Sequence, residues 1–241
     1  RTLRDKGRLL CQAPTGIGKT MSTLFPALKA MGEGCGERVF YLTARTTTRQ
    51  AAEDALALLR KNQPGLALKS ITLTAKDTIC MLEQRECTPE ACPYANGYYD
   101  RIRDALWQAL DENEFTRAAL EDLARRFTVC PFELGLDLSL WCDVIVGDYN
   151  YLFDPVVSLK RFFESGGDYL FLVDEAHNLP DRAREMHSAS LLKSQVLEAR
   201  KALGKGKSKL KTALGKLNDE FVELRRQCDE AENRTFFEKE A

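Results

Sequence analysis

The chain has 241 residues, 44% hydrophobic and 29% charged, with a formal net charge of −1. That balance describes a globular protein long enough for one large domain, or one domain plus an insertion, and it carries no global field directed at nucleic acid, so any such site must be a local patch. Neither a membrane-spanning apolar run nor a signal peptide is evident, which excludes a membrane partner and predicts a cytoplasmic protein.

The chain opens on Arg1 and its first apolar run follows almost at once, so it reads as a piece of a longer protein. Eight cysteines in such a chain argue for a reducing compartment and metal ligation over disulfides.

Residues 1–7 read as a helix end stopped by Gly7. Leu9–Gln12 is predicted as the first core strand, with Cys11 packing inside it. A helix follows from Lys19 to Met31, with Leu24, Leu28 and Met31 on one stripe and Pro26 within it. Val39–Thr43 is a continuous apolar run, as expected of a parallel strand buried on both faces. Thr48 is a candidate cap for a helix over 49–61, and Ile71–Thr74 reads as another strand. Strand and helix alternate as in a doubly wound α/β domain.

From Ala75 to Trp141 the alternation breaks, and the span reads as an insertion with helices near Tyr98–Leu110 and Phe115–Phe127. Strands resume at Asp143–Asp148 and at Tyr169–Val173. Beyond Pro180 the pattern is helical, with a stripe through Leu210, Leu214, Leu217, Phe221 and Leu224. The lysine run Lys201–Lys216 is expected to form a solvated loop.

Three constellations carry chemistry. Ala13-Pro14-Thr15-Gly16-Ile17-Gly18-Lys19-Thr20 has the A-x-x-x-x-G-K-T form of a phosphate-binding loop. Gly16 and Gly18 allow a tight turn that aims backbone N–H groups at phosphate oxygens, and the helix behind adds partial positive charge. Lys19 would reach the terminal phosphates of ATP and Thr20 would help hold Mg²⁺. The second constellation, Asp174-Glu175-Ala176-His177, follows an apolar strand. Asp174 would hold Mg²⁺ and Glu175 would orient and deprotonate the attacking water, with His177 coupling the pair to neighbouring motifs. The first loop binds phosphate; the second makes hydrolysis the expected reaction.

The third constellation is Cys80, Cys87, Cys92 and Cys130, the first three within thirteen residues of a polar stretch. Four thiolates can hold Zn²⁺ or a 4Fe–4S cluster, and spacing alone does not choose between them. Cys142 lies close enough to Cys130 to confuse the assignment.

Together these residues resemble the XPD/DinG group of superfamily 2 DNA helicases. Ala13–Thr20 is similar to that group's motif I, Tyr41–Arg49 to motif Ia, and Asp174–His177 with Asn178 to motif II. Asp77–Cys80 and Cys130-Pro131-Phe132 resemble the segments around the first and last cluster cysteines, and Asp143–Pro155 resembles the segment that follows the cluster domain.

The resemblance implies a RecA-like P-loop NTPase lobe, α/β with a mostly parallel sheet, over 1–75 and 142–180. It implies an inserted iron–sulfur domain over 76–141, held by the four cysteines, and the helical start of an arch domain over 181–241. It also implies 5′-to-3′ translocation on single-stranded or forked DNA by a monomer. Arg45 and Thr46, and by similar placement Tyr149 and Asn150, would meet the DNA. Basic and aromatic residues of the insertion, among them Arg101, Arg103, Arg125, Arg126, Tyr94, Tyr98 and Tyr99, are weaker candidates. The upstream glutamine motif, motif III and the second motor lobe are missing from the sequence, so this chain alone is expected to bind nucleotide weakly and to have negligible ATPase.

Overall fold

The computed structural model describes residues 1–14, 16–204, 206 and 208–230. These form two compact units, Arg1–His187 and the residues from Ser188 on.

The first unit is built on five parallel strands: β1 (Arg38–Leu42), β2 (Ser70–Thr72), β3 (Glu114–Phe115), β4 (Val144–Gly147) and β5 (Tyr169–Val173), in the order β3-β2-β4-β1-β5. The register pairs Val39 with Val144 and Leu170, and Leu42 with Gly147 and Val173. Its helices are α1 (Lys19–Gly32), α2 (Thr46–Asn62), α3 (Lys76–Ile79), α4 (Tyr98–Ala109), α5 (Arg117–Phe127), α6 (Pro131–Ser139), α7 (Asn150–Phe153), α8 (Lys160–Phe163) and α9 (Leu179–Met186).

Alternation along β1 explains the layering. Successive side chains of a strand point to opposite faces. Val39 and Tyr41 therefore join Leu24 and Ala27 of α1 and Ala52 and Leu56 of α2 in one core, while Phe40 and Leu42 join α4, α5 and α6 in the other. The segment between β2 and β4 contributes to that second core and places β3 on the sheet's edge beside β2. Because all strands run the same way, the residues that follow β1, β4 and β5 emerge together at one edge of the sheet, where α/β folds place their ligands.

Several local expectations are corrected. Residues 7–14 lie outside any strand, with Leu9 72% and Leu10 94% exposed and Cys11 exposed as well. An apolar run becomes a strand only where its backbone groups meet a ladder, and composition does not say whether one is within reach. Consistently, β5 is an edge strand on which Phe171 is 40% exposed, despite its fully apolar sequence. Helix α2 starts at Thr46, so Thr48 lies inside it; the Thr48 hydroxyl donates to the Arg45 carbonyl at 2.9 Å and pairs closely with the Thr43 hydroxyl. Residues 1–7 form turns, closed by the Gly7 N–H donating to the Thr2 carbonyl.

The second unit contains α10 (Lys193–Ala202) and α11 (Lys209–Glu230), which pack against each other. The lysine run is thus divided between two helices, because the apolar stripe through Leu210, Leu214 and Leu217 carries Lys209, Lys211 and Lys216 into α11. Lys205 and Lys207 lie outside the described residues. Among the described residues no helix is long and apolar enough to cross a membrane.

Candidate active site

The phosphate-loop residues lead into α1. Gly16 and Gly18 have φ of 85° and 80°, and a Cβ at either would meet nothing within 4 Å. The glycines are needed for the left-handed backbone and not for space. Gly18 is the N-cap of α1, so Lys19 opens the helix and Thr20 follows. Pro14, Gly16, Ile17 and Gly18 are exposed and Ala13 is half-buried. Thr15 lies outside the described residues.

The Asp174–His177 segment turns sharply where β5 ends. The Asp174 N–H donates to the Leu42 carbonyl at 2.9 Å, continuing the β5–β1 ladder by one residue. Glu175 then takes a left-handed backbone, φ 52° and ψ 41°, uncommon for a side chain of its size. Two groups hold it there. The Tyr149 hydroxyl donates to the Glu175 carbonyl at 3.0 Å and, more closely, to the Asp174 carbonyl; Asn178 Nδ2 donates to the Glu175 carbonyl at 3.1 Å.

Across the sheet edge the two motifs meet. Lys19 Nζ lies 3.1 Å from Glu175 Oε1, and His177 Nδ1 lies 3.4 Å from Glu175 Oε2. The hydrogen bond from Lys19 holds the Glu175 carboxyl below the usual carboxylate range, with Coulombic help from Lys19, His177 and Arg45. Asp174 is held at both oxygens: Oδ1 accepts from the Glu175 N–H at 3.0 Å and Oδ2 from the Tyr41 hydroxyl at 3.0 Å. Burial, with the Asp174 charge beside it, keeps the Tyr41 phenol protonated well above its ordinary value. The Tyr149 phenol is pushed up to about 12 for the same reasons.

The residues expected to meet DNA divide. Arg45 and Thr46 are exposed at the start of α2, close enough for Arg45 to act on Glu175. Tyr149 is corrected: it is fully buried and its hydroxyl is committed to the Asp174–Glu175 backbone, so no ring face is open to a base. Asn150 is half-buried, its side-chain oxygen accepting from Arg182 Nη2 at 3.0 Å.

Among the weaker candidates, Arg101 is spent on the carbonyls of Pro93, Asn96 and Thr128, and Tyr98 is buried with its hydroxyl on Asp137. Arg125 and Arg126 face acidic neighbours one turn away, whereas Tyr99 is 88% exposed.

Cys80, Cys87, Cys92 and Cys130 line one cavity of about 280 Å³. Cys80 ends α3 and Cys130 precedes α6, so two helix termini and the intervening loop set the four cysteines around that cavity. Lys76 sits on the rim, donating to Glu133 at 3.0 Å and lying 5.1 Å over the Phe132 ring. Burial pushes the Cys130 thiol up. Cys142 is excluded from this cavity: it is buried elsewhere, donates to the Leu138 carbonyl at 3.3 Å, and its thiol is pushed up to about 12 by burial. Among the described residues, no three His, Cys, Asp or Glu side chains are grouped closely enough for a single metal ion.

Sequence reasoning did not find Tyr41, Asp148 or Arg182. Asp148 accepts from Arg49 of α2 at 3.2 Å and from Arg182 of α9 at 3.4 Å, tying both helices to the end of β4. The available signal was a tyrosine inside an otherwise apolar strand, whose hydroxyl needs a partner once buried.

The DEAD_2 family model matches residues 63–196, more than half of the chain. The chain belongs to the DEAD_2 family. Curated relatives of this DEAD_2 chain include the Fanconi anemia group J protein homolog of Gallus gallus, 31% identical over 117 residues, covering 47% of this chain and 9% of the relative. The XPD/RAD3 helicase subunit of the general transcription and DNA repair factor IIH of Saccharomyces cerevisiae is 27% identical, covering 93% of this chain and 33% of the relative. The ATP-dependent DNA helicase DinG of Salmonella choleraesuis is 26% identical, covering 77% and 31%. The chain thus spans about a third or less of these relatives' lengths. A solved XPD helicase superposes with a TM-score of 0.60 at 22% identity, over 92% of this chain and 38% of that one; a truncated XPD gives 0.59, over 92% and 62%. The resemblance to the XPD/DinG group holds at the level of family, and the parallel, helix-flanked sheet is that of the XPD structures.

Proposed function

We propose that this chain is the first motor lobe of an ATP-dependent DNA helicase, with Ala13–Thr20 binding the ATP phosphates and Asp174 and Glu175 directing hydrolysis. One observation carries the reading: Lys19 and Glu175, 156 positions apart, meet at 3.1 Å at the sheet edge, with Asp174 beside them. A lysine at a helix N-terminus paired with one carboxylate, with a second beside it in the chain, suits a magnesium–phosphate ligand, which supplies anionic oxygens for the lysine and a cation for the carboxylate. Thr20 and Asp174 would hold Mg²⁺. Glu175 would accept the proton of the attacking water once Lys19 turns to the phosphates, and His177, already on the other Glu175 oxygen, would orient it. DNA in this reading runs past Arg45 and Thr46, exposed one strand-end away. Single-stranded or forked DNA as substrate, 5′-to-3′ polarity, monomeric action and the need for a second motor lobe come with the same reading.

The thiol cavity is read as a 4Fe–4S site of a domain near 76–141, with the helices beyond about 181 beginning an arch. A cavity of about 280 Å³ reached by four thiols suits a multi-atom cluster better than one ion. Cys80, Cys87, Cys92 and Cys130 would be its ligands, and the cluster would cross-link α3 to α6 rather than serve redox chemistry.

The test uses the full-length parent. Lys19→Ala and Glu175→Gln should each abolish DNA-stimulated ATP hydrolysis, while Glu175→Gln retains nucleotide binding. Hydrolysis surviving Glu175→Gln would refute the reading. Anaerobic purification should give a brown protein with iron and acid-labile sulfide; a colourless protein with one zinc would refute the cluster.

A further inference from the structure

One buried hydroxyl of β1 reaches the carboxylate that follows β5. Tyr41 lies in β1 and is 1% exposed, its ring packed in the core between α1 and α2. Its hydroxyl donates to Asp174 Oδ2 at 3.0 Å, beyond the end of β5. The Thr20 side chain, in the first turn of α1, lies beside the same phenol.

A phenylalanine would fill that core equally well, so the hydroxyl's place must be explained by what it touches. It touches one of the two side chains that would hold Mg²⁺, the Asp174 carboxylate, and lies beside the other, Thr20. Carboxylate and threonine side chains each rotate freely unless something fixes them. The Glu175 N–H on Oδ1 and the Tyr41 hydroxyl on Oδ2 fix the plane of the Asp174 carboxylate, and each oxygen keeps a further lone pair for a cation. A central strand is a rigid mount for such a donor.

We propose that Tyr41 is a positioning residue for the magnesium site, its hydroxyl setting the Asp174 carboxylate to face a cation shared with Thr20. Groups that orient metal ligands from behind typically matter about ten- to a hundredfold in metal affinity. The inference rests on the nucleotide-site reading above.

The test is a Mg²⁺ titration of the full-length parent with fluorescent mant-ADP, repeated with Mn²⁺ followed by electron paramagnetic resonance. Tyr41→Phe keeps the ring and removes only the donor. It should raise the apparent constant for either cation about tenfold. A purely structural hydroxyl would lower the thermal midpoint and leave the cation constants at the wild-type value; that outcome overturns the proposal. Lys19→Ala separates it from the reading beneath. If wild type and Lys19→Ala bind mant-ADP alike, the nucleotide site itself falls and Tyr41 falls with it. If Lys19→Ala loses binding while Tyr41→Phe keeps the wild-type cation constants, the Tyr41 proposal alone is wrong.

Discussion

Lys19 Nζ lies 3.1 Å from Glu175 Oε1, so the lysine that opens α1 neutralises the carboxylate just beyond β5. Both side chains are about one-third exposed or less. In the proposed function the pair would part when a phosphate draws Lys19 away, leaving Glu175 free to act as a base.

The pair also has a pH signature. Glu175 is held below the usual carboxylate range, chiefly by the Lys19 hydrogen bond. A lowered carboxylate contributes stability that is full above its unfolded value and lost as pH falls through its folded value. Replacing Lys19 with Ala should therefore raise the Glu175 pKa toward the ordinary range, read by carbon NMR of the labelled carboxylate. An unchanged titration would mean that the pair does not persist in solution.

Nucleotide affinity should fall by about ten- to a hundredfold in Lys19→Ala, since a hydrogen bond to a charged group contributes about 1.5–3 kcal/mol. Equilibrium binding of mant-ADP to the full-length parent measures it. A change of less than twofold would remove Lys19 from the phosphate site.

Tyr149→Phe leaves the carbonyls of Asp174 and Glu175 without their phenolic donor. The Glu175 carbonyl keeps its Asn178 donors, so the Asp174 carbonyl is the acceptor left unsatisfied, at a cost of about 1–2 kcal/mol. For a unit of this size the thermal midpoint should drop about 2–4 °C per kcal/mol. The same substitution should reduce ATP turnover in the parent, because the left-handed turn at Glu175 relaxes; full turnover with a lowered midpoint would limit Tyr149 to stability.

Gly18→Ala forces a Cβ into φ 80° at the N-cap of α1. The left-handed conformation costs a non-glycine residue about 1–2 kcal/mol, with no neighbouring atom to blame. The loop should respond by changing conformation, lowering mant-ADP affinity more than it lowers the melting midpoint. A large drop in midpoint with intact affinity would contradict this.

Two cysteine substitutions should behave oppositely. Cys92→Ser should remove most iron and acid-labile sulfide from the purified protein, because Cys92 lines the thiol cavity. Cys142→Ser should leave iron content unchanged, because its thiol is buried elsewhere and bonded to the Leu138 carbonyl. Iron lost from Cys142→Ser and retained in Cys92→Ser would reverse the ligand assignment.

Much of the site was legible from residue order. Gly16, Gly18 and Lys19 fall on the turn and first helical residue that their pattern requires, and Asp174 ends a strand as its apolar approach requires. Helices over Tyr98–Ala109 and Arg117–Phe127 match their periodicity closely. What was not legible was partnership. Leu9–Gln12 has a strand's composition without a strand's ladder, and Phe171 has a core residue's identity at an edge. Tyr149 follows a strand end as a ligand-contact residue would, yet its hydroxyl is turned inward.

The sequence by itself determined the local chemistry: which backbone turns are possible, which side chains carry charge, and which runs are apolar enough to be buried. These follow from single residues and their near neighbours. Only the tertiary structure decided that Lys19 meets Glu175, that the Tyr41 hydroxyl holds Asp174, and that Asp148 holds two arginines. Those contacts join residues far apart in the chain. Their geometry depends on strand order and register, which no short stretch of sequence encodes alone.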